Sequence, residues 1–200
     1  VVTIQKDLNE VLPATIELAH KFHTPLILTF GFIKSITAGD SEFELAVKTL
    51  KSAAELAERN GITLALENEP GFWADSGKRT AKLLAAVGSK SLMANWDPAN
   101  ALGAENHPFP IGYEALKPWV ANIHVKDVQK DSTLACVPVG EGKINWEGQL
   151  RAIVKDGRLS HVTIETHCLP LIEKSKQNVE TVSRILKKIQ EEQSRAIKVS

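Results

Sequence analysis

Apolar residues recur at two different periods along this chain, and the two periods alternate. Ile4, Leu8, Val11, Leu12, Ile16 and Ala19 follow helical spacing across residues 4–22, with Pro13 as an expected kink or restart. The run PLILTFGF (25–32) is continuously apolar, which suits a strand buried on both faces. Gly39, Asp40 and Ser41 mark a turn. Phe43, Ala46, Val47, Leu50, Ala53, Ala54 and Ala57 then share one face of a helix over 41–59, closed by Asn60-Gly61. The order repeats as strand 62–68, helix 76–87, strand 91–97, a short helical segment 111–119, strand 122–127, helix 145–157 and strand 161–166. A terminal helix over 171–193 should end in a frayed tail, RAIKVS.

Nearly continuous apolar strands alternating with helices imply a parallel sheet with helices packed outside it. No linker or repeat divides the chain, so one domain is expected over residues 1–200. The long segment 128–143 holds Gly and Pro and lies at the C-terminal end of its strand, where active-site loops occur. Gly140 and Gly142 should shape it ahead of Asn145, with a helix starting near Trp146. An open doubly wound sheet would usually carry a glycine-rich phosphate loop after an early strand. Neither G-x-G-x-x-G nor G-x-x-x-x-G-K-[ST] occurs here. The pattern favours a (β/α)8 TIM barrel, of which about five units can be counted. The first three strand–helix units are read as missing, and Val1, opening directly into a helical pattern, as a trimmed start. A sheet with two open edges is expected to self-associate.

Four of the strands end on a residue that can ligate a metal: Glu67 in ITLALENE, Asp97 in LMANWDPAN, His124 in NIHVKD and Glu165 in HVTIETH. Their separations of 30, 27 and 41 residues each fit one β/α unit, the last lengthened by the 128–143 loop. In a barrel of parallel strands the C-terminal ends converge on the active site. Glu69 competes with Glu67, but Glu67 directly ends its apolar run. Three carboxylates and one imidazole suit one divalent ion: Mn2+, Mg2+, Co2+ or Zn2+. Asn100, His167, Asn68 and His107 are candidate polar pocket groups. Trp73 and Trp96 are candidate apolar walls for a sugar, and Trp146 reads as core.

The stretches LALENEPG, NWDPANA, PFPIGYEALKPWVANIHVKD, VGEGKINWEGQL and TIETH together resemble the xylose isomerase-like TIM barrel superfamily, in particular its sugar phosphate isomerase/epimerase members. The resemblance covers roughly residues 60–167. It implies that Glu67, Asp97, His124 and Glu165 bind one divalent ion and that Glu67 and Glu165 exchange protons on opposite faces of a ketose. The metal would stabilise the enediolate between them. It also implies substrate contacts from Lys126. A metal-dependent dehydratase of a cyclic polyol ketone, of inosose type, is the alternative. The related AP endonucleases need further histidines, and Asn100 stands where one of them is required. An inactive barrel fragment is the non-enzymatic alternative.

Composition adds exclusions. Lys+Arg and Asp+Glu both number 24, and a formal net charge of zero argues against nucleic acid as a ligand. No apolar run approaches the roughly 18 residues of a membrane span. Cys136 and Cys168 read as free thiols in a reducing compartment, so the expected setting is cytoplasmic. The expected partner is a small sugar or polyol.

Overall fold

The computed structural model describes residues 2–37, 39–129 and 135–199. The chain enters as α1 (Val2–Lys6), passes through a π-helical turn (Asp7–Val11) and continues as α2 (Leu12–Lys21). The π turn sets Pro13 in the first turn of α2. There follow β1 (Leu26–Phe30), α3 (Asp40–Arg59), β2 (Thr63–Glu67), α4 (Gly77–Val87) and β3 (Leu92–Trp96). A short α5 (Pro98–Ala101) and α6 (Tyr113–Leu116) lead to β4 (Val120–Val125). The strands β5 (Asp127–Val128) and β6 (Cys136–Val137), helix α7 (Trp146–Asp156), β7 (Thr163–Ile164) and helix α8 (Leu171–Val199) complete the order.

The main sheet runs β1-β2-β3-β4-β7, and every pairing in it is parallel. This is the five-strand part of a TIM barrel expected from the pattern. Among the described residues the sheet does not close on itself: β1 and β7 each pair on one side only. Leu28 and Phe30 of β1 are accordingly 44% and 59% exposed. An apolar cavity of about 400 Å³ lies between β1 and the N-terminal helices, lined by Ile4, Leu8, Val11, Leu12 and Ile27.

Three boundaries differ from the sequence reading. The strand expected over 161–166 pairs only at Thr163 and Ile164, because its single neighbour β4 ends at Val125. The segment 128–143 is not all loop, since Asp127–Val128 pairs antiparallel with Cys136–Val137; residues 130–134 lie outside those described. The tail expected to fray is helical through Val199, with no Pro or Gly in 171–199 to stop it.

Helices pack their apolar faces onto the outer side of the sheet. Leu50, Ala54 and Ala57 of α3, Leu83, Leu84 and Val87 of α4 and Leu150 and Ile153 of α7 join Leu64, Leu66, Leu92, Ala94 and Ile123 in one core. Trp96 is fully buried and donates from Nε1 to Gln149 Oε1 at 3.0 Å, so it belongs to the core rather than to a pocket wall. Trp146 is buried as expected. Trp73 packs edge-on against Phe43, with ring centroids 5.2 Å apart.

The other face is polar. Asn122 Nδ2 donates to Asn95 Oδ1 at 2.9 Å, and Thr163 Oγ1 donates to Asn122 Oδ1 at 3.2 Å. These side chains cross β3, β4 and β7 as one hydrogen-bonded row. Strand alternation puts the residue two positions further along each strand on the same face. Those residues are Asp97, His124 and Glu165.

Candidate metal centre

Glu67 is the last residue of β2, Asp97 follows β3, His124 is next to last in β4 and Glu165 follows β7. Parallel strands in near register bring these four ends together. One ligand atom from each lies within 4.8 Å of the others. Ligands that share one ion at about 2.0–2.6 Å must lie within roughly 5 Å of each other. The geometry meets that condition. His124 Nδ1 stands between the two glutamates, 3.1 Å from Glu67 Oε1 and 3.6 Å from Glu165 Oε2.

Asp97 is held with particular care. Its Oδ1 accepts from Ala99 N at 2.8 Å and Asn100 N at 3.1 Å, capping α5. Its Oδ2 is buried and has no hydrogen-bond partner. The Lys126 ammonium lies 2.8 Å from that oxygen, an ion pair without good hydrogen-bond alignment, and 2.9 Å from Glu165 Oε2. A buried carboxylate oxygen with an unused lone pair, facing three other donors, fits a divalent ion. The carboxylate-rich set favours the harder ions.

Electrostatics follow from burial and pairing. Burial pushes the Asp97 carboxyl up to about 6, against the opposing pull of Lys126 and the Asn100 N–H. Burial disfavours the His124 cation, but Glu165 and Glu67 outweigh it and raise its pKa to about 9. Glu165 is held well below the usual carboxylate range, chiefly by the His124 ring 3.6 Å away, then by Lys126 and His167, while burial opposes. Burial works against the Lys126 cation, but Asp97 and Glu165 more than offset it and push its pKa up.

The polar candidates from the sequence divide by position. His167 Nε2 lies 3.3 Å from Glu165 Oε1 with its side chain half exposed, at the open rim. Lys126 is inside the cluster. Asn68 donates from Nδ2 to the Asp97 carbonyl at 2.7 Å and accepts from Asp97 N at 2.8 Å. Asn100 Nδ2 lies 2.6 Å from Glu69 Oε2, 3.0 Å from Asn68 O and 3.3 Å from Glu67 Oε1. Glu69 is thereby held beside the group of four rather than within it, and burial followed by the Glu67 charge raises its pKa. His107 lines a separate surface cleft with Lys78 and Arg79.

Sequence reasoning missed Asp127. It is buried at the end of its strand. Its Oδ1 accepts from Val128 N at 3.0 Å and Ile144 N at 3.1 Å, and its Oδ2 from Gly140 N at 2.9 Å and Gly142 N at 3.2 Å. One carboxylate thus ties down both ends of the long loop beside the cluster. A Cβ at Gly142 would overlap this carboxylate and the Val128 carbonyl, so only glycine fits there. The alternation of His124, Lys126 and Asp127 carries the available signal: Asp127 must point away from the face that the other two share.

Comparison with known proteins gives a consistent picture. A family model for the xylose isomerase-like TIM barrel matches residues 5–189. No curated protein matches the chain by sequence. Similar solved structures include the probable 3-DHS dehydratase AsbF from Bacillus anthracis, at 21% identity and TM-score 0.75, over 86% of this chain and 69% of that one. A D-tagatose 3-epimerase-like protein matches at 22% identity and TM-score 0.74, over 89% of this chain and 68% of that one. A xylose isomerase-like TIM barrel protein from Mycobacterium smegmatis, in complex with magnesium, matches at 18% identity and TM-score 0.75, over 92% of this chain and 68% of that one. The chain therefore spans about two thirds of the length of these solved chains. No helix among the described residues is long and apolar enough to cross a membrane.

Proposed function

The chain belongs to the xylose isomerase-like TIM barrel family, and we propose that its 200 residues form one partial-barrel domain of a cytoplasmic, divalent-metal-dependent sugar or sugar phosphate isomerase/epimerase. The observation that carries this reading is the gathering of Glu67 and Glu165 beside His124, at 3.1 and 3.6 Å from its Nδ1, with Asp97 in the same group of four. Glu67, Asp97, His124 and Glu165 would hold the ion. When bound, it would draw electron density from neighbouring carbonyl and hydroxyl oxygens of a sugar and so acidify the C–H beside the carbonyl. That help is needed, because a carboxylate held below the ordinary range, as Glu165 is, is a weak base.

Glu165 and Glu67 handle the proton. The Glu165 side chain is 29% exposed and the Glu67 side chain 5%, so Glu165 is the one open to substrate. It removes the proton next to the carbonyl, and Glu67 returns one on the opposite face. Lys126 binds a substrate oxygen from inside the cluster and His167 binds one from the rim. Asn68 and Asn100 act behind them, holding the ends of β2 and β3.

A second reading is supported by His167. Its half-exposed ring beside Glu165 is placed to protonate a departing β-hydroxyl, which is the step a dehydratase of a cyclic polyol ketone requires.

The test is incubation with a panel of ketoses, ketose phosphates and cyclic polyol ketones in D2O, with Mn2+, Mg2+, Co2+ or Zn2+ supplied in turn. Deuterium should enter at the carbon next to the carbonyl, in a metal-dependent way. Loss of water from the polyol ketones alone would favour the dehydratase. Absence of exchange in every combination would rule out both.

A further inference from the structure

Lys126 sits where two arguments meet. It shares the inner face of the sheet with His124, two residues before it. Its ammonium contacts Asp97 Oδ2 at 2.8 Å and Glu165 Oε2 at 2.9 Å, with the Asp97 side chain fully buried and the Lys126 side chain 11% exposed. Asp97 Oδ1 is already committed to the cap of α5. Oδ2 is therefore the oxygen left to bind an ion, and it is the one that Lys126 holds. Three carboxylates gathered this closely repel one another, and buried charge without a partner is costly.

We infer that Lys126 is an internal counter-cation: it keeps Asp97 and Glu165 assembled before a divalent ion arrives, and it competes with the ion for their oxygens. The inference rests on the metal-site reading above. A lysine suits this role. Its compact charge lies on a flexible four-carbon stem that can withdraw, whereas a planar guanidinium would lock onto a carboxylate. On withdrawal the ammonium remains next to the cluster, where a substrate oxygen can take the place of the carboxylates. The same ligand set without Lys126 should bind an ion more tightly, because no resident charge has to be displaced.

Titration of the metal-free protein with Mn2+ by calorimetry, for the wild type, Lys126→Met and Lys126→Gln, tests this. Both variants should bind Mn2+ about tenfold more tightly than the wild type. Their thermal midpoints should fall in the metal-free state and recover at saturating Mn2+. Binding no tighter than wild type in both variants would overturn the inference while leaving the metal site intact. An equal fall in midpoint with and without Mn2+ would reduce Lys126 to a structural residue and overturn it too. A wild type that takes up no Mn2+ would remove the metal-site reading and this inference together.

Discussion

Asn68 and Asp97 clasp one another across the ends of two strands. The Asn68 side-chain amide donates from Nδ2 to the Asp97 backbone carbonyl at 2.7 Å, and the Asp97 N–H donates back to Asn68 Oδ1 at 2.8 Å. Both side chains are fully buried. The reciprocal pair continues the β2–β3 ladder one step past its last backbone pairing, and it sets the separation of Glu67 from Asp97. Replacing Asn68 with Ala should lower Mn2+ affinity by roughly 10–100-fold. It should also cost about 2 kcal/mol of stability, since it strands a buried N–H and a buried carbonyl. Calorimetric titration and denaturant melts would measure the two effects.

Glu165→Gln should leave the fold intact and abolish proton exchange next to the substrate carbonyl. Glutamine keeps the shape but cannot accept the proton. Solvent-deuterium incorporation at the wild-type rate would exclude Glu165 as the acid/base group.

Asp127→Ala should loosen the loop beside the cluster. Four backbone N–H groups lose their acceptor together. Stability should fall by about 3 kcal/mol, and amide exchange should quicken at Gly140, Gly142 and Ile144. Protection unchanged at those amides would show that the loop is held by something else.

The stability of the metal-free protein should depend on pH through His124. Its pKa rises from 6.5 to about 9 in the folded chain. A raised pKa contributes stability that is complete below pH 6.5 and disappears as pH climbs through about 9, on the order of 3 kcal/mol. The metal-free midpoint should therefore drop between pH 6.5 and 9.5, and His124→Gln should flatten that slope. An equally steep slope in the variant would place the titrating group elsewhere.

The open edge at β1 should drive association. Phe30 and Leu28 are exposed on a strand with one unpaired side. The chain should form concentration-dependent oligomers in sedimentation experiments, and Phe30→Lys should shift it toward monomer. A monodisperse wild-type monomer across the concentration range would contradict this.

Periodicity alone determined the order of elements, because apolar runs with β-branched residues and helical apolar faces each bury only one way. The caps were legible for the same local reason: Asn60-Gly61 ends α3, and Asn145 starts α7. The grouping of Glu67, Asp97, His124 and Glu165 was legible too, since each stands at the end of an apolar strand and parallel strands deliver such ends to one place. Tertiary structure alone decided what the neighbouring polar residues do. Asn68 and Asn100 read as pocket groups, and only the closeness of the β2 and β3 ends shows their hydrogen bonds to Asp97, Glu67 and Glu69. Only the return of the chain to Gly140, Gly142 and Ile144 surrounds Asp127 with N–H donors. Trp96 looked like a sugar platform, and only the packing of α7 provides the Gln149 that receives its indole N–H. Local sequence encodes burial and period, whereas a hydrogen-bond partner 13 to 53 residues away is settled by which elements the fold brings into contact.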